Sequence, residues 1–154
     1  MAGQRVPSWM LWLVIPAAPV ALAFETLVRL TAFPDDFELV REFLRPQLTP
    51  VAWVVAGVTG ALAMLGLAMQ RKISQRRLAG MADASIDERY TALYAVFFLT
   101  SSVPQLPTIL ATFGFTFGAS IWPVLIAIAL CSAGIIAQAL QVRRLIEPSK
   151  AEVP

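Results

Sequence analysis

The stretch YTALYAVFFLTSSVPQLPTILATF, from Tyr90 to Phe113, decides the fold of this chain. It carries no charged side chain over more than the ~20 residues that a helix needs to cross a bilayer. Its centre is nevertheless polar, with Pro104 and Pro107 among hydroxyl and amide side chains. A span that interrupts its own backbone hydrogen bonds and carries a glutamine is expected to turn that face toward protein, not lipid. We therefore predict a membrane helix whose polar face packs inside a bundle.

The composition places the whole chain in the same class. Hydrophobic residues make up 58% of its 154 residues and charged residues only 14%, far from the balance of soluble domains. This length leaves room for a single membrane domain, residues 1–154, and for no separate soluble one. The net charge of +2 gives no reason to expect a nucleic-acid partner.

Four apolar segments predict an all-α fold, an integral membrane bundle of four transmembrane helices. The spans cover about 8–33, 51–69, 90–113 and 121–142, and a frayed tail covers 147–154. The first segment also resembles a cleavable signal peptide, with Ala21-Leu22-Ala23 as its cutting site, so removal of residues 1–23 stays open. Because the apolar run continues to Phe33, and because Trp9 and Trp12 suit an interfacial anchor, a retained span is favoured.

The connection between the first two spans has the pattern of a short amphipathic helix. Asp35 and Glu38 have the spacing of a capping box, and apolar residues follow at helical intervals until Pro46. We predict that this helix lies on the membrane surface and ends at Pro46, and that Pro50 opens the second span. An ordered loop is the alternative.

The connection at residues 70–89 is predicted to be a basic cytoplasmic loop. Ser85 and Glu88 form a second capping box, which starts helix three near Ile86. The basic cluster follows from membrane topology, and it also suits contact with anionic lipid head groups. The candidate lipid contacts are Arg71, Lys72, Arg76 and Arg77.

The distribution of lysine and arginine predicts an orientation with both termini inside. With four spans, nine such residues fall on the inner side, and only Arg41 and Arg45 fall on the outer side. We expect a multi-pass protein of a cell membrane, with the bacterial inner membrane as its location.

Stripes of small residues predict close contacts between helices, inside the bundle or between copies of the chain. They are Ala52, Ala56 and Gly60 in the second span and Ala129, Ala133 and Ala137 in the fourth.

Polar residues at membrane depth are the candidates for a functional site. Glu25 and Arg29 lie four residues apart on one helix face, so they can form a structural pair, a proton or cation site, or a contact with a partner chain. The polar patch of the third span could ligate a cation or line a narrow wet path, although such groups more often satisfy each other. Its members are Thr100, Ser101, Ser102, Gln105, Thr108 and Thr112.

The residues offer little for catalysis. The chain has no histidine, and its single cysteine, Cys131, lies in an apolar run without a neighbouring base. Metal-ligand spacings and phosphate-binding glycine loops are missing as well. We expect no enzyme, no cofactor and no metal.

The two halves of the chain share a plan: a span, an outer connection, a small-residue span and a basic exit. The parallel exits are Met69-Gln70-Arg71-Lys72 and Leu140-Gln141-Val142-Arg143-Arg144. In this plan helices three and four resemble the duplicated hairpins of rotary-ATPase ring subunits, and the chain resembles small bacterial four-helix membrane proteins of unknown function. Ring subunits carry a carboxylate halfway down a helix, where this chain has Ser102 or Gln105, which argues against ion translocation of the ring type.

The sequence thus favours a non-catalytic membrane protein that packs as a homo-oligomer or as an accessory subunit of a larger membrane complex. A small ion or solute conductor using Glu25 and the polar face of helix three is the alternative. A third possibility is a module that binds anionic membrane lipids through the basic loop.

Overall fold

The computed structural model describes residues 15–34, 36–81 and 84–146, which fold into α-helices and short connections. The helices are α1 (Ala17–Ala32), α2 (Phe37–Ala79), α3 (Ile86–Thr116) and α4 (Ile121–Ile146). Among them α2, α3 and α4 are long and apolar enough to cross a membrane, with mean hydropathies of 2.0, 1.4 and 2.2 over an apolar 18-residue segment of each. The prediction of an all-helical membrane protein is confirmed at this level.

The first predicted span is only partly described. Helix α1 begins at Ala17, directly after Pro16, and has 16 residues. At ~1.5 Å per residue it is shorter than the ~30 Å hydrocarbon core. Residues 8–14 of the predicted span lie outside the described part of the chain, as does the predicted frayed tail, 147–154.

The largest difference from the sequence-based prediction is the length of α2. The predicted surface helix, the break at Pro46 and the predicted span 51–69 together form one continuous helix of 43 residues. At ~1.5 Å per residue, this helix is about twice as long as the hydrocarbon core is thick. It therefore extends beyond a bilayer, and the short amphipathic helix is not a separate element.

Tertiary contacts explain why Pro46 and Pro50 do not end α2. The Arg41 side chain donates from Nε to the Thr116 carbonyl at 3.1 Å and from Nη2 to the Phe115 carbonyl at 3.2 Å. These contacts fix the first turns of α2 against the end of α3. Both prolines lie on the exposed side of the helix, where carbonyls that lose their intrahelical partners can bond to water.

Of the two predicted capping boxes, only the second is formed by described residues. Ser85 N donates to Glu88 Oε2 at 2.8 Å and Glu88 N donates to Ser85 Oγ at 3.4 Å, so α3 begins at Ile86 as predicted. Helix α2 begins after Asp36, whose side chain makes no capping bond, and Asp35 lies outside the described residues. Glu38 instead accepts hydrogen bonds from Arg41.

The connections before and after α3 are both shorter than the sequence predicts. Helix α2 continues to Ala79, so the four candidate lipid-contact residues lie on its last turns and not in a loop. Helix α3 continues to Thr116, which leaves a tight turn before α4. Gly118 in this turn has φ +119° and packs against the Arg41 backbone, so a side chain would be strained there.

The contacts between helices define their directions. The start of α2 contacts the end of α3 through Arg41, whereas Gln70, late in α2, bonds to Gln138, late in α4. Helices α2 and α4 therefore run in the same direction, and α3 runs against both. The buried face of α2 follows helical spacing and consists of Ala52, Ala56, Thr59, Ala63, Gly66, Gln70 and Ser74.

The small residues of α2 and α4 differ in their role. Ala52 and Ala56 are buried and Gly60 is half-buried, whereas Ala129 and Ala133 are exposed and Ala137 is half-buried. The close contact between α2 and α4 is made by Gly134, where an added Cβ would lie 2.7 Å from the Ala63 Cβ. The predicted stripe of α4 is therefore rotated away from α2 by about one residue, or ~100°.

Candidate functional site

The polar residues at membrane depth form two separate clusters. We call them the Glu25 cluster (Glu25, Thr112 and Thr116) and the Gln138 cluster (Gln70, Ser74, Thr100 and Gln138). The first joins α1 to α3 near the start of α2, and the second joins α2, α3 and α4 toward their other ends. The conductor predicted as an alternative would combine Glu25 with the polar patch of helix three, but the structure places Thr112 in the first cluster and Thr100 in the second.

In the Glu25 cluster, two threonines one turn apart on α3 hold the carboxylate. Thr112 Oγ1 donates to Glu25 Oε1 at 2.8 Å, and Thr116 Oγ1 donates to Oε2 at 3.2 Å. Both hydroxyls also lie near α3 carbonyls, those of Ile109 at 2.7 Å and Thr112 at 3.4 Å. Since each hydroxyl has one proton, the carboxylate and the backbone share these donors.

The predicted pair between Glu25 and Arg29 is not formed. Arg29 Nη1 instead lies 3.7 Å from Glu38 Oε1, and Arg41 Nη1 lies 2.7 Å from Glu38 Oε2. The Glu25 carboxylate faces the α3 hydroxyls, and one turn further along α1 Arg29 reaches α2. The structure therefore replaces a pair within one helix by an ion-pair network between helices.

Phe115 completes this network. The Arg29 and Arg41 guanidinium groups lie 5.4 Å and 5.6 Å from the centre of its ring, within the range of cation–π contacts. Arg29 and Arg41 are only 17% and 12% exposed, whereas Glu38 is 63% exposed. Together, these groups link α1, α2 and α3 at one end of the bundle.

A cleft of about 370 Å³ opens between α1 and α3 beside Glu25. Apart from Glu25 and Thr116, the cleft is lined by apolar residues, among them Phe24, Val28 and Ile109. Among the described residues that line the cleft, Glu25 alone is acidic, and the surface of the cleft is almost entirely apolar.

The Gln138 cluster is fully enclosed. Gln70 and Gln138 have 0% exposure; Gln70 Nε2 donates to the Gln138 carbonyl at 2.9 Å, and Thr100 Oγ1 lies 3.2 Å from Gln138 Oε1. Three buried polar atoms of this cluster have no partner among the described residues, namely Gln70 Oε1, Ser74 Oγ and Gln138 Nε2. An unpartnered buried polar group typically costs ~1–3 kcal/mol.

The glutamines of this cluster were not among the predicted site residues. Their signal in the sequence is their position: both Gln70 and Gln138 continue the buried, small-residue faces of their helices. Gly66 makes room for the cluster, because an added Cβ there would lie 2.8 Å from Gln138 Nε2 and 3.1 Å from the Thr100 carbonyl.

The rest of the predicted patch is spread around α3. Thr100, Ser101, Thr108 and Thr112 are buried, Gln105 is half-buried and Ser102 is exposed. Most of the hydroxyl groups donate to α3 carbonyls three or four residues earlier, while Gln105 makes no hydrogen bond to a described residue. The acceptors are Val96 for Thr100, Phe98 for Ser101, Leu99 for Ser102 and Pro104 for Thr108.

The candidate lipid contacts Arg71, Lys72, Arg76 and Arg77 are all exposed. Arg71 and Lys72 border a groove between α2 and α4, whereas Arg76 and Arg77 do not. In the part of the chain that the structure describes, no three His, Cys, Asp or Glu residues are grouped so that they could hold a metal ion.

Comparison with protein-family models, curated proteins and solved structures found no match to this chain. The class of the protein therefore follows from its fold alone. Three long apolar helices, packed through small residues and buried polar contacts, indicate a small membrane-embedded helical protein.

Proposed function

We propose that this chain is a non-catalytic membrane protein that assembles with further copies of itself or as an accessory subunit of a larger membrane complex. The observation that carries the proposal is the use of its polar groups at membrane depth. The buried hydroxyls of α3 donate to their own helix, and Thr100, Gln70 and Glu25 reach neighbouring helices. The bonds between helices hold the bundle together, and the bonds within α3 satisfy its hydroxyl groups, which supports a structural role for these side chains.

We place the protein in a cell membrane, such as the bacterial inner membrane, with both termini inside. The directions of α2, α3 and α4 support this orientation, because they bring residues 71–81 and 143–146 to one side. This side carries Arg71, Lys72, Arg76, Arg77, Arg89, Arg143 and Arg144, against Arg29, Arg41 and Arg45 at the opposite end. Such an excess of positive charge marks the cytoplasmic side.

Helix α4 offers a surface for assembly. Ala129 and Ala133 lie one turn apart on its exposed face, where small side chains let a second helix approach closely in lipid. The neighbouring Ile126 and Leu130 are each 39% exposed and add apolar contact area.

The mass of the detergent-solubilised protein tests this proposal. We expect the wild type to be larger than one chain or to co-purify with a partner, and Ala133→Leu to reduce this mass without changing thermal stability. Ala95→Leu, at an exposed position of α3, is the matched control and should leave the mass unchanged. A wild type that is a single chain in detergent and in nanodiscs, with no co-purifying protein, would contradict the proposal.

A small conductor is the second candidate, favoured by the Glu25 carboxylate on the wall of the apolar cleft. The unpartnered atoms of the Gln138 cluster add a second polar position deeper in the bundle. Flux measurements in liposomes separate this function from assembly.

A further inference from the structure

The ends of α2 and α4 form a groove of about 900 Å³, within the size range of ligand sites. The groove is bordered by Met64, Leu67, Ala68, Arg71, Lys72 and Gln75 of α2 and by a matching segment of α4 from Ala137 to Leu145. Because the two helices run in the same direction, the chemical character of both walls changes together along the groove. One end is apolar and the other is basic.

The basic end presents Arg71, Lys72 and Arg144. All three are exposed, and none of them pairs with an acidic residue in the described part of the chain. The amides of Gln75 and Gln141 border the groove at the same level and can donate hydrogen bonds. Three cations with amide donors and no acidic partner among the described residues favour a phosphate group.

The apolar end extends toward the middle of the membrane. Met64 is 69% exposed and Leu140 is 42% exposed, so this part of the groove opens sideways to lipid. From Met64 to Arg71 the helix rises about 10 Å at ~1.5 Å per residue, so the apolar wall can cover the part of one acyl chain nearest the head group within a leaflet of ~15 Å. A water-soluble anion would leave this part of the groove unused.

We propose that this groove binds one anionic phospholipid, with its phosphate between Arg71, Lys72 and Arg144 and one acyl chain along the apolar wall. A zwitterionic lipid fits less well because its ammonium group would be repelled by the same three cations. The inference rests on the proposed membrane location but not on the proposed assembly. It also narrows the candidate lipid contacts, since Arg76 and Arg77 lie outside the groove.

Native mass spectrometry of the full chain, released from nanodiscs with equal parts of phosphatidylglycerol and phosphatidylcholine, tests the proposal. We expect one phosphatidylglycerol to be retained in preference to phosphatidylcholine. Arg71→Gln with Arg144→Gln should reduce this retention about tenfold or more, because each basic side chain contributes separately to binding an anionic lipid. Arg76→Gln with Arg77→Gln removes the same charge outside the groove and should change retention less than about twofold.

A second variant tests the apolar part of the groove without changing any charge. Ala68→Trp fills the groove and should displace the lipid, whereas Met69→Trp, at the next exposed position, ~100° around α2 and outside the groove lining, should not. Equal losses in both arginine pairs, or no loss in Ala68→Trp, would overturn the proposal in favour of a general basic surface. Displacement of the lipid by inorganic phosphate would overturn it in favour of a soluble anion.

The same spectra report the number of chains in each particle, so the lipid site and the assembly are judged separately. Lipid loss at constant particle mass supports the site alone. Retention of both lipids to the same extent overturns the site, whatever the state of assembly.

Discussion

Gly134→Ala tests the closest contact between α2 and α4. The new Cβ would lie 2.7 Å from the Ala63 Cβ, whereas ordinary contacts of this kind are 3.4–4 Å. Both atoms are attached directly to helix backbones, so no side-chain rotation can relieve the overlap. The helices must separate by several tenths of an ångström along a face that is otherwise closely packed.

The expected cost is ~1–3 kcal/mol, the usual range for overpacking. Alanine is also a better helix former than glycine by up to ~1 kcal/mol, which partly offsets this cost. Gly57→Ala is the matched control, because an added Cβ there meets nothing within 4 Å. The difference in unfolding free energy between the two variants therefore isolates the packing contribution, and we expect it to be ~1–3 kcal/mol.

The buried thiol of Cys131 can be used to measure this unfolding free energy. Cys131 is the single cysteine and is 1% exposed, so a thiol-reactive fluorophore reports unfolding in detergent. Circular dichroism at the helix band provides a second readout. Equal unfolding midpoints for Gly134→Ala and Gly57→Ala would refute the packing argument. Adding Ala63→Gly to Gly134→Ala removes the opposing Cβ and should restore most of the lost stability; failure to do so would assign the loss to another cause.

Three further predictions concern the polar contacts and the turn. Gln138→Leu should change the unfolding free energy by less than about 1 kcal/mol, because it removes an interhelical bond of ~0.6 kcal/mol together with an unpartnered buried nitrogen. Gln105→Leu is the control and should leave the unfolding free energy unchanged. A loss above ~2 kcal/mol for Gln138→Leu in thermal unfolding would contradict this prediction. Gly118→Ala should cost at least ~1–2 kcal/mol in the same assay, because its positive φ and its contact with the Arg41 backbone leave no room for a side chain; unchanged stability would show that the turn relaxes freely. In liposomes we expect no proton flux from the wild type or from Glu25→Gln; a wild-type flux that Glu25→Gln suppresses would establish the conductor instead.

The candidate site could be predicted only in part. Glu25 and Thr112 were predicted because polar groups in apolar segments need partners, and the structure brings them together. Thr116, which also bonds to Glu25, was not predicted, because the span was expected to end at Phe113. The partner of Arg29 could not be predicted, since Glu38 lies on another helix and is reached only after α1 and α2 have packed. The spacing within α1 predicts Glu25 as the acidic partner of Arg29, whereas in the folded protein that partner is Glu38.

The helical class, the long apolar helices α3 and α4 and the start of α3 at Ile86 can be predicted from the sequence alone. These features depend on local hydrophobicity and on side-chain bonds within one turn, which are legible along the chain. The continuation of α2 through Pro46 and Pro50 could not be predicted locally, because it depends on tertiary contacts between Arg41 and the carbonyls of Phe115 and Thr116. The pattern of small residues likewise could not predict that Gly134, and not Ala133, contacts α2. Neighbouring residues lie ~100° apart around a helix, and only the packing of the helices determines which of them faces α2.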